Sequence, residues 1–145
     1  MRLRPTAGRA RTGTAAVEFA VLLPLVMFMV VVAVDFARGF RNAQIVTAAA
    51  RNGALYASDS PTKAADTAGI QAAALQEAVD LPTAPTVSSQ TGTDADGNQY
   101  VRVTVSCLFQ TFTRYPGIPS SSTVSRTVQM RVAPTQPSGL GYATN

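Results

Sequence analysis

The chain contains no histidine and no tryptophan, and Cys107 is its only cysteine. Without histidine it lacks the commonest general base and metal ligand. A single cysteine excludes an intrachain disulfide and a thiolate metal cage. There is no glycine-rich phosphate loop and no nucleophile motif. The acids Asp66, Glu77 and Asp80 could suggest paired catalytic carboxylates, but offsets of eleven and fourteen residues set Asp66 far from both along a helix axis. They read as solvated side chains. The expectation is a protein that is not an enzyme, with no catalytic residues, no cofactor and no metal.

Charge is scarce as well, at 14% of residues against about 25% in a usual soluble domain. The shortage is local, because Phe19 to Val34 is a sixteen-residue run with no charge. The basic excess is also uneven. Arg2, Arg4, Arg9 and Arg11 precede Gly13 with no acid among them, and beyond Gly13 eight basic residues face eight acids. A pI near 9.8 could point to nucleic acid. A short basic arm ahead of an apolar run is better explained by membrane topology, where Arg and Lys stay on the cytoplasmic side. No nucleic-acid partner is expected.

Extended back to Thr14, the apolar run covers 21 residues and includes one acid, Glu18. About 20 mainly apolar residues suffice to cross a bilayer core as a helix. Eleven of the sixteen uncharged residues are Leu, Phe or Val, which favours insertion by roughly 3–7 kcal/mol. One acid costs at most about 3 kcal/mol at mid-membrane, and Glu18 lies near the end. Insertion wins. Pro24 is tolerated, since membrane helices accommodate such kinks. A cleaved secretory signal is a rival reading, but the run ends at Val34-Asp35-Phe36-Ala37-Arg38, a poor cleavage site. A buried helix of a soluble protein is a second rival. Four arginines ahead of the run direct the N-terminus to the cytoplasm, while Arg38 and Arg41 after it act the other way.

The residues Arg11-Thr12-Gly13-Thr14-Ala15-Ala16-Val17-Glu18-Phe19 hold the most specific pattern. A basic leader ends in glycine, and the fifth residue after it is an acid followed by an aromatic. This resembles the type IV prepilin signal, which implies cleavage between Gly13 and Thr14 by a prepilin peptidase, with Glu18 at mature position five. In lipid a carboxylate seeks a partner, and the resemblance implies one: the free α-amine of a neighbouring subunit. On the residues alone, Glu18 also reads as an interfacial acid favouring a helix N-terminus.

Together with Ala16-Val17-Glu18-Phe19-Ala20, the segments Leu23-Pro24-Leu25, Asp35-Phe36-Ala37-Arg38 and Ala50-Arg51-Asn52-Gly53-Ala54-Leu55-Tyr56-Ala57 are similar to the TadE-like family, pilin-like components of the tight-adherence (Flp) pilus machinery. A similarity of a more generic kind continues through Val101-Arg102-Val103-Thr104-Val105, Pro116-Gly117-Ile118-Pro119 and Met130-Arg131-Val132. The resemblance implies a processing site at Gly13 and Thr14, and assembly or register residues at Glu18 and Phe19. It implies as partners membrane lipid, the prepilin peptidase, and other pilin-like subunits and pilus assembly proteins.

Beyond Asp35, Phe36, Phe40, Ala43, Thr47, Ala50, Ala54 and Ala57 recur at spacings of three and four, one stripe of a helix. The stripe passes from large to small residues, which permits close packing against a sheet or another helix. Ser60-Pro61 is a helix start, followed by a face of Ala65, Ala68, Ala72, Leu75 and Val79 and a stop at Pro82. Residues 82–92 read as a loop with at most one weak strand. Tyr100–Ser106 and Thr123–Val132 alternate as half-buried strands, joined by a loop from Arg114 to Ser122. Asp94-Ala95-Asp96-Gly97-Asn98 starts like a calcium loop but lacks the acids that close one, so it reads first as a hairpin turn. Cys107 reads as a buried thiol, with an intermolecular disulfide as the sharper alternative.

The expected fold is α+β: a long N-terminal transmembrane helix continuing into an amphipathic helix, a second short helix and a small antiparallel sheet. The expected organisation is a basic leader at 1–13, a transmembrane helix at 14–35, an extracytoplasmic domain at 36–133 and a flexible tail at 134–145. The expected function is a minor pseudopilin of a tight-adherence pilus system, placed in the cell membrane with its N-terminus cytoplasmic. The alternative is a membrane-tethered extracytoplasmic binding domain that is neither processed nor polymerised.

Overall fold

The computed structural model describes residues 12–111 and 120–134. The leader up to Arg11, most of the Arg114–Ser122 loop and the tail from residue 135 lie outside them. The chain divides into two compact units, Met1–Ala37 and Arg38–Asn145. The elements are α1 (Thr12–Ser58), α2 (Pro61–Ala65), α3 (Thr67–Glu77), β1 (Thr86–Thr93), β2 (Gln99–Gln110) and β3 (Ser121–Arg131). The fold is α+β, as the sequence pattern predicts.

In the first unit α1 is uninterrupted at Pro24, and every residue from Gly13 to Val34 is exposed. In the second unit the continuation of α1 packs through Val46, Ala49, Ala50, Ala54 and Ala57, all fully buried. Small side chains here let other elements come close. A methyl group on Gly53 would lie 3.2 Å from a Val103 methyl, 3.3 Å from the Ala74 methyl and 3.3 Å from the Ile70 carbonyl. Gly53 is therefore the crossing point of α1, α3 and the sheet. Its cost to the helix, about 1 kcal/mol relative to alanine, is set against that close approach.

The three strands form one antiparallel sheet in the order β1-β2-β3. Alternation along β2 places Val101, Val103, Val105 and Cys107 on the buried face. Register puts Met130, Val128 and Val124 opposite Val101, Val103 and Cys107, and Val87 opposite Val105. The other face is polar and pairs across the strands. Arg102 donates to Gln129 at 2.9 Å, and the Thr104 and Thr127 hydroxyls lie 2.8 Å apart. Asn52 Nδ2 of α1 donates to the Ala73 carbonyl of α3 at 2.9 Å, joining the two helices, and the Ala133 amide just after β3 donates to the Ser58 carbonyl at 2.7 Å, tying α1 to the sheet.

Four expectations need correction. Residues 86–93 form a full strand rather than a loop with a weak one. In this segment Thr86 and Val87 are β-branched, but Ser, Gln and Gly dilute the signal, and only pairing with β2 fixes it. The second helix is two helices, because the Asp66 carboxylate caps α3 by accepting from the Gly69 amide at 2.9 Å. That break resets the helical phase. Ala64, Ile70, Ala74 and Ala78 are buried, whereas Ala65, Ala68, Ala72 and Leu75 are exposed and Val79 is 81% exposed. In α1 the expected stripe holds at Ala50, Ala54 and Ala57, but Phe36, Phe40 and Thr47 are exposed, and the buried line enters through Asn42 and Val46.

Candidate functional site

α1 begins at Thr12, two residues ahead of the expected Thr14. Gly13 and Thr14 thus lie in its first turn, where amide groups have no intrahelical acceptor and opening is cheap. A methyl group on Gly13 would meet nothing within 4 Å. Thr14 and Glu18 stand four residues apart, one turn and about 6 Å along the axis, on the same side of the helix. Both are exposed. Phe19 is 65% exposed and lies round the helix from Glu18. From Val17 to Val34 the large apolar side chains are exposed. Among the described residues one helix is long and apolar enough to cross a membrane, and none of its most apolar stretch is buried. A soluble core helix would be covered by its own domain. This one is not.

The remaining polar groups hold the second unit together. Tyr56 Oη donates to Asp66 Oδ2 at 2.9 Å, linking α1 to the start of α3, and the Lys63 ammonium lies 5.2 Å from the Tyr56 ring centre. The Gly69 amide, with the Tyr56 hydroxyl second, holds the Asp66 carboxyl below the usual carboxylate range. Arg41 pairs with Asp80 at 3.0 Å. Glu77 is exposed at the end of α3. The three acids are therefore dispersed, two of them engaged in capping and pairing, and they do not converge on a common point.

Asp94 to Asn98 forms the hairpin turn between β1 and β2. The Asp94 carboxylate accepts from the Asn98 amide at 2.7 Å and the Asp96 amide at 3.1 Å, and Gly97 takes a φ of +81°, which glycine adopts without strain. Arg131 approaches its other oxygen at 3.5 Å. The carboxylate is thereby committed to its own turn. The Asn98 amide, first among these contacts, lowers the Asp94 carboxyl. A carboxyl depressed on folding binds fewer protons than in the unfolded chain, so its stabilisation is present above about pH 3.9 and lost as pH falls through the lower folded value. Asp94→Asn should accordingly flatten the acid limb of the unfolding profile, monitored by circular dichroism between roughly pH 4 and 2. An unchanged limb would show that Asp94 does not set it.

Cys107 is 3% exposed, with its Sγ 3.4 Å from the Thr83 carbonyl. It is a buried thiol, facing away from Leu108, which lies on the opposite face of β2. The sequence reading missed the Tyr56–Asp66 and Arg41–Asp80 contacts. Their separations of ten and 39 residues leave no local signature.

Residues 13–55 match the family model described as TadE-like protein, the family that the N-terminal motifs resemble. The match covers the apolar run and the inner part of α1 and stops before α2 and the sheet. That family is one of pilus components and is not known as enzymatic. No curated protein and no solved structure matches the chain.

Proposed function

From an uncovered apolar helix that matches a family of pilus-assembly components, we propose that this chain is a membrane-anchored minor pseudopilin of a tight-adherence or type IV-like pilus system. The observation that carries the reading is the exposure of every residue from Gly13 to Val34. Such a surface requires lipid or the helices of neighbouring subunits to cover it. In this reading α1 inserts with its N-terminus cytoplasmic, and the second unit is extracytoplasmic. The domain boundaries are a leader at 1–13, a membrane helix at 14–35, a domain at 36–133 and a tail at 134–145.

A prepilin peptidase then cuts between Gly13 and Thr14. Because that bond lies in the first helical turn, cleavage requires the turn to open, and an exposed glycine there lowers the cost. The new α-amine at Thr14 and the Glu18 carboxylate on the same side are complementary groups one turn apart. Stacked subunits pair the carboxylate of one with the amine of the next, while Phe19 packs between the helices. The partners are membrane lipid, the peptidase, and other pilin-like subunits.

The intact mass of protein extracted from native membranes is expected to correspond to a chain starting at Thr14. A mass that includes Met1 to Gly13 would exclude the processing step and favour the tethered, unpolymerised domain.

A further inference from the structure

We propose that the second unit carries a binding site for a phosphoryl group in the cleft between the start of its α1 segment and the loop after α3. The cleft, about 170 Å³, is lined by Arg38, Arg41, Asn42, Asp80 and Pro82. A single water needs only about 10–15 Å³, so there is room for a larger polar group.

Two independent observations point to a ligand here. Asn42 is 7% exposed, and its side-chain amide has no hydrogen-bond partner among the described residues. Buried amides are almost always paired, and an unpaired one in a native fold calls for a missing partner. The second observation is the donor set around it. Arg41 places one 3.0 Å contact on Asp80, and both side chains of that pair are 68% exposed. A guanidinium carries five N–H donors, and an ion pair so open to water is weakly held. Arg41 can therefore keep Asp80 and still present its fork to a phosphoryl oxygen, the acceptor geometry that arginine matches best. Arg38 also lines the cleft and adds positive charge to it, and Asp80 supplies an acceptor for an amine.

That combination, donors for an oxyanion beside one carboxylate, fits a phosphate that carries a cationic amine, as a phosphoethanolamine headgroup does. Position in the chain favours the same source. Arg38 follows the last residue of the apolar run, Val34, by four positions, with Phe36 77% and Phe40 60% exposed on either side of it. Aromatic and basic residues at the end of an apolar run are the composition of a membrane–water interface. The lipid source rests on the membrane anchoring proposed above; binding of free phosphate does not.

The test uses the full chain in maltoside micelles, with the side-chain amide of Asn42 followed by ¹⁵N NMR. Three probes are titrated: dihexanoyl phosphatidylethanolamine, inorganic phosphate and dihexanoylglycerol. Saturable shifts are expected with the phospholipid and none with the diacylglycerol. Arg41→Gln, read on the Asn42 amide, and Asn42→Asp, which places a like charge against the phosphate and is read on the Arg41 Nε–H, should each weaken binding at least tenfold with an unchanged circular dichroism spectrum. A response to the phospholipid alone assigns the headgroup, and saturation by inorganic phosphate assigns the phosphoryl group irrespective of the membrane. No shift with either phosphate-bearing probe, or equal shifts with the diacylglycerol, overturns the proposal.

Discussion

Glu18→Ala is expected to leave the protein in the membrane and correctly trimmed, yet to remove it almost completely from any assembled fibre or assembly complex. The substitution makes insertion easier, because an acid within a membrane helix costs up to about 3 kcal/mol and the replacement costs nothing comparable. Trimming is also preserved, since the bond after Gly13 is in the first turn of α1 while Glu18 lies a turn beyond it. The loss appears only when subunits meet. In the proposed assembly, a carboxylate held in a lipid-facing array has one inexpensive state, paired with a cation, and that pairing selects a single axial register among those that apolar surfaces alone would allow. Glu18→Gln should behave like the alanine variant, because it keeps the shape and loses the charge. Sheared surface fractions, compared with membrane fractions by immunoblot, give the readout. Wild-type recovery of the alanine variant in the sheared fraction would dismiss the register role.

The second large effect concerns the helical face that folding selects. Ile70→Ala should lower the unfolding free energy of the full chain in micelles by about 2–5 kcal/mol, the range for truncating a buried isoleucine. Ile70 is fully buried beneath α1 and the sheet, so its removal leaves a cavity that a backbone already at closest approach at Gly53 cannot readily collapse. Val79→Ala should change stability by no more than about 0.5 kcal/mol, because Val79 is 81% exposed. Periodicity predicts the reverse, since it places Val79 on the packed face and omits Ile70. Denaturant titrations followed by circular dichroism decide between them, and equal effects at the two positions would contradict the burial pattern described above.

The reason for that reversal is physical. Residues 61–79 are rich in alanine, whose small side chain fits either face, so the sequence alone sets no strong phase. Asp66 then interrupts the helix by turning its carboxylate to the Gly69 amide, and the residues after it start a new phase. The phase is chosen by what α3 must cover, namely the Gly53 side of α1 and the valines of β2. Similarly, β1 has a weak sequence signal because its polar side chains are compatible with loop or strand. Eight residues of register with β2 make it a strand.

What the sequence by itself determined was whatever depends on near neighbours in the chain. Sixteen uncharged residues in one run specify an apolar helix. Strict alternation through Val101, Val103 and Val105 specifies a one-sided strand, and Asp94 with Gly97 specifies the turn ahead of it. The candidate processing residues Gly13 and Thr14 and the candidate register residues Glu18 and Phe19 belong to the same class, since their spacing along one helix is their geometry. Only the tertiary structure decided which faces of α1 and α3 are covered, that Tyr56 would meet Asp66 and Arg41 would meet Asp80, and that Asn42 would be buried without a side-chain partner among the described residues. Those outcomes follow from elements meeting across tens of residues of chain. Burial and hydrogen bonding between such elements depend on how the segments pack, which no local pattern encodes.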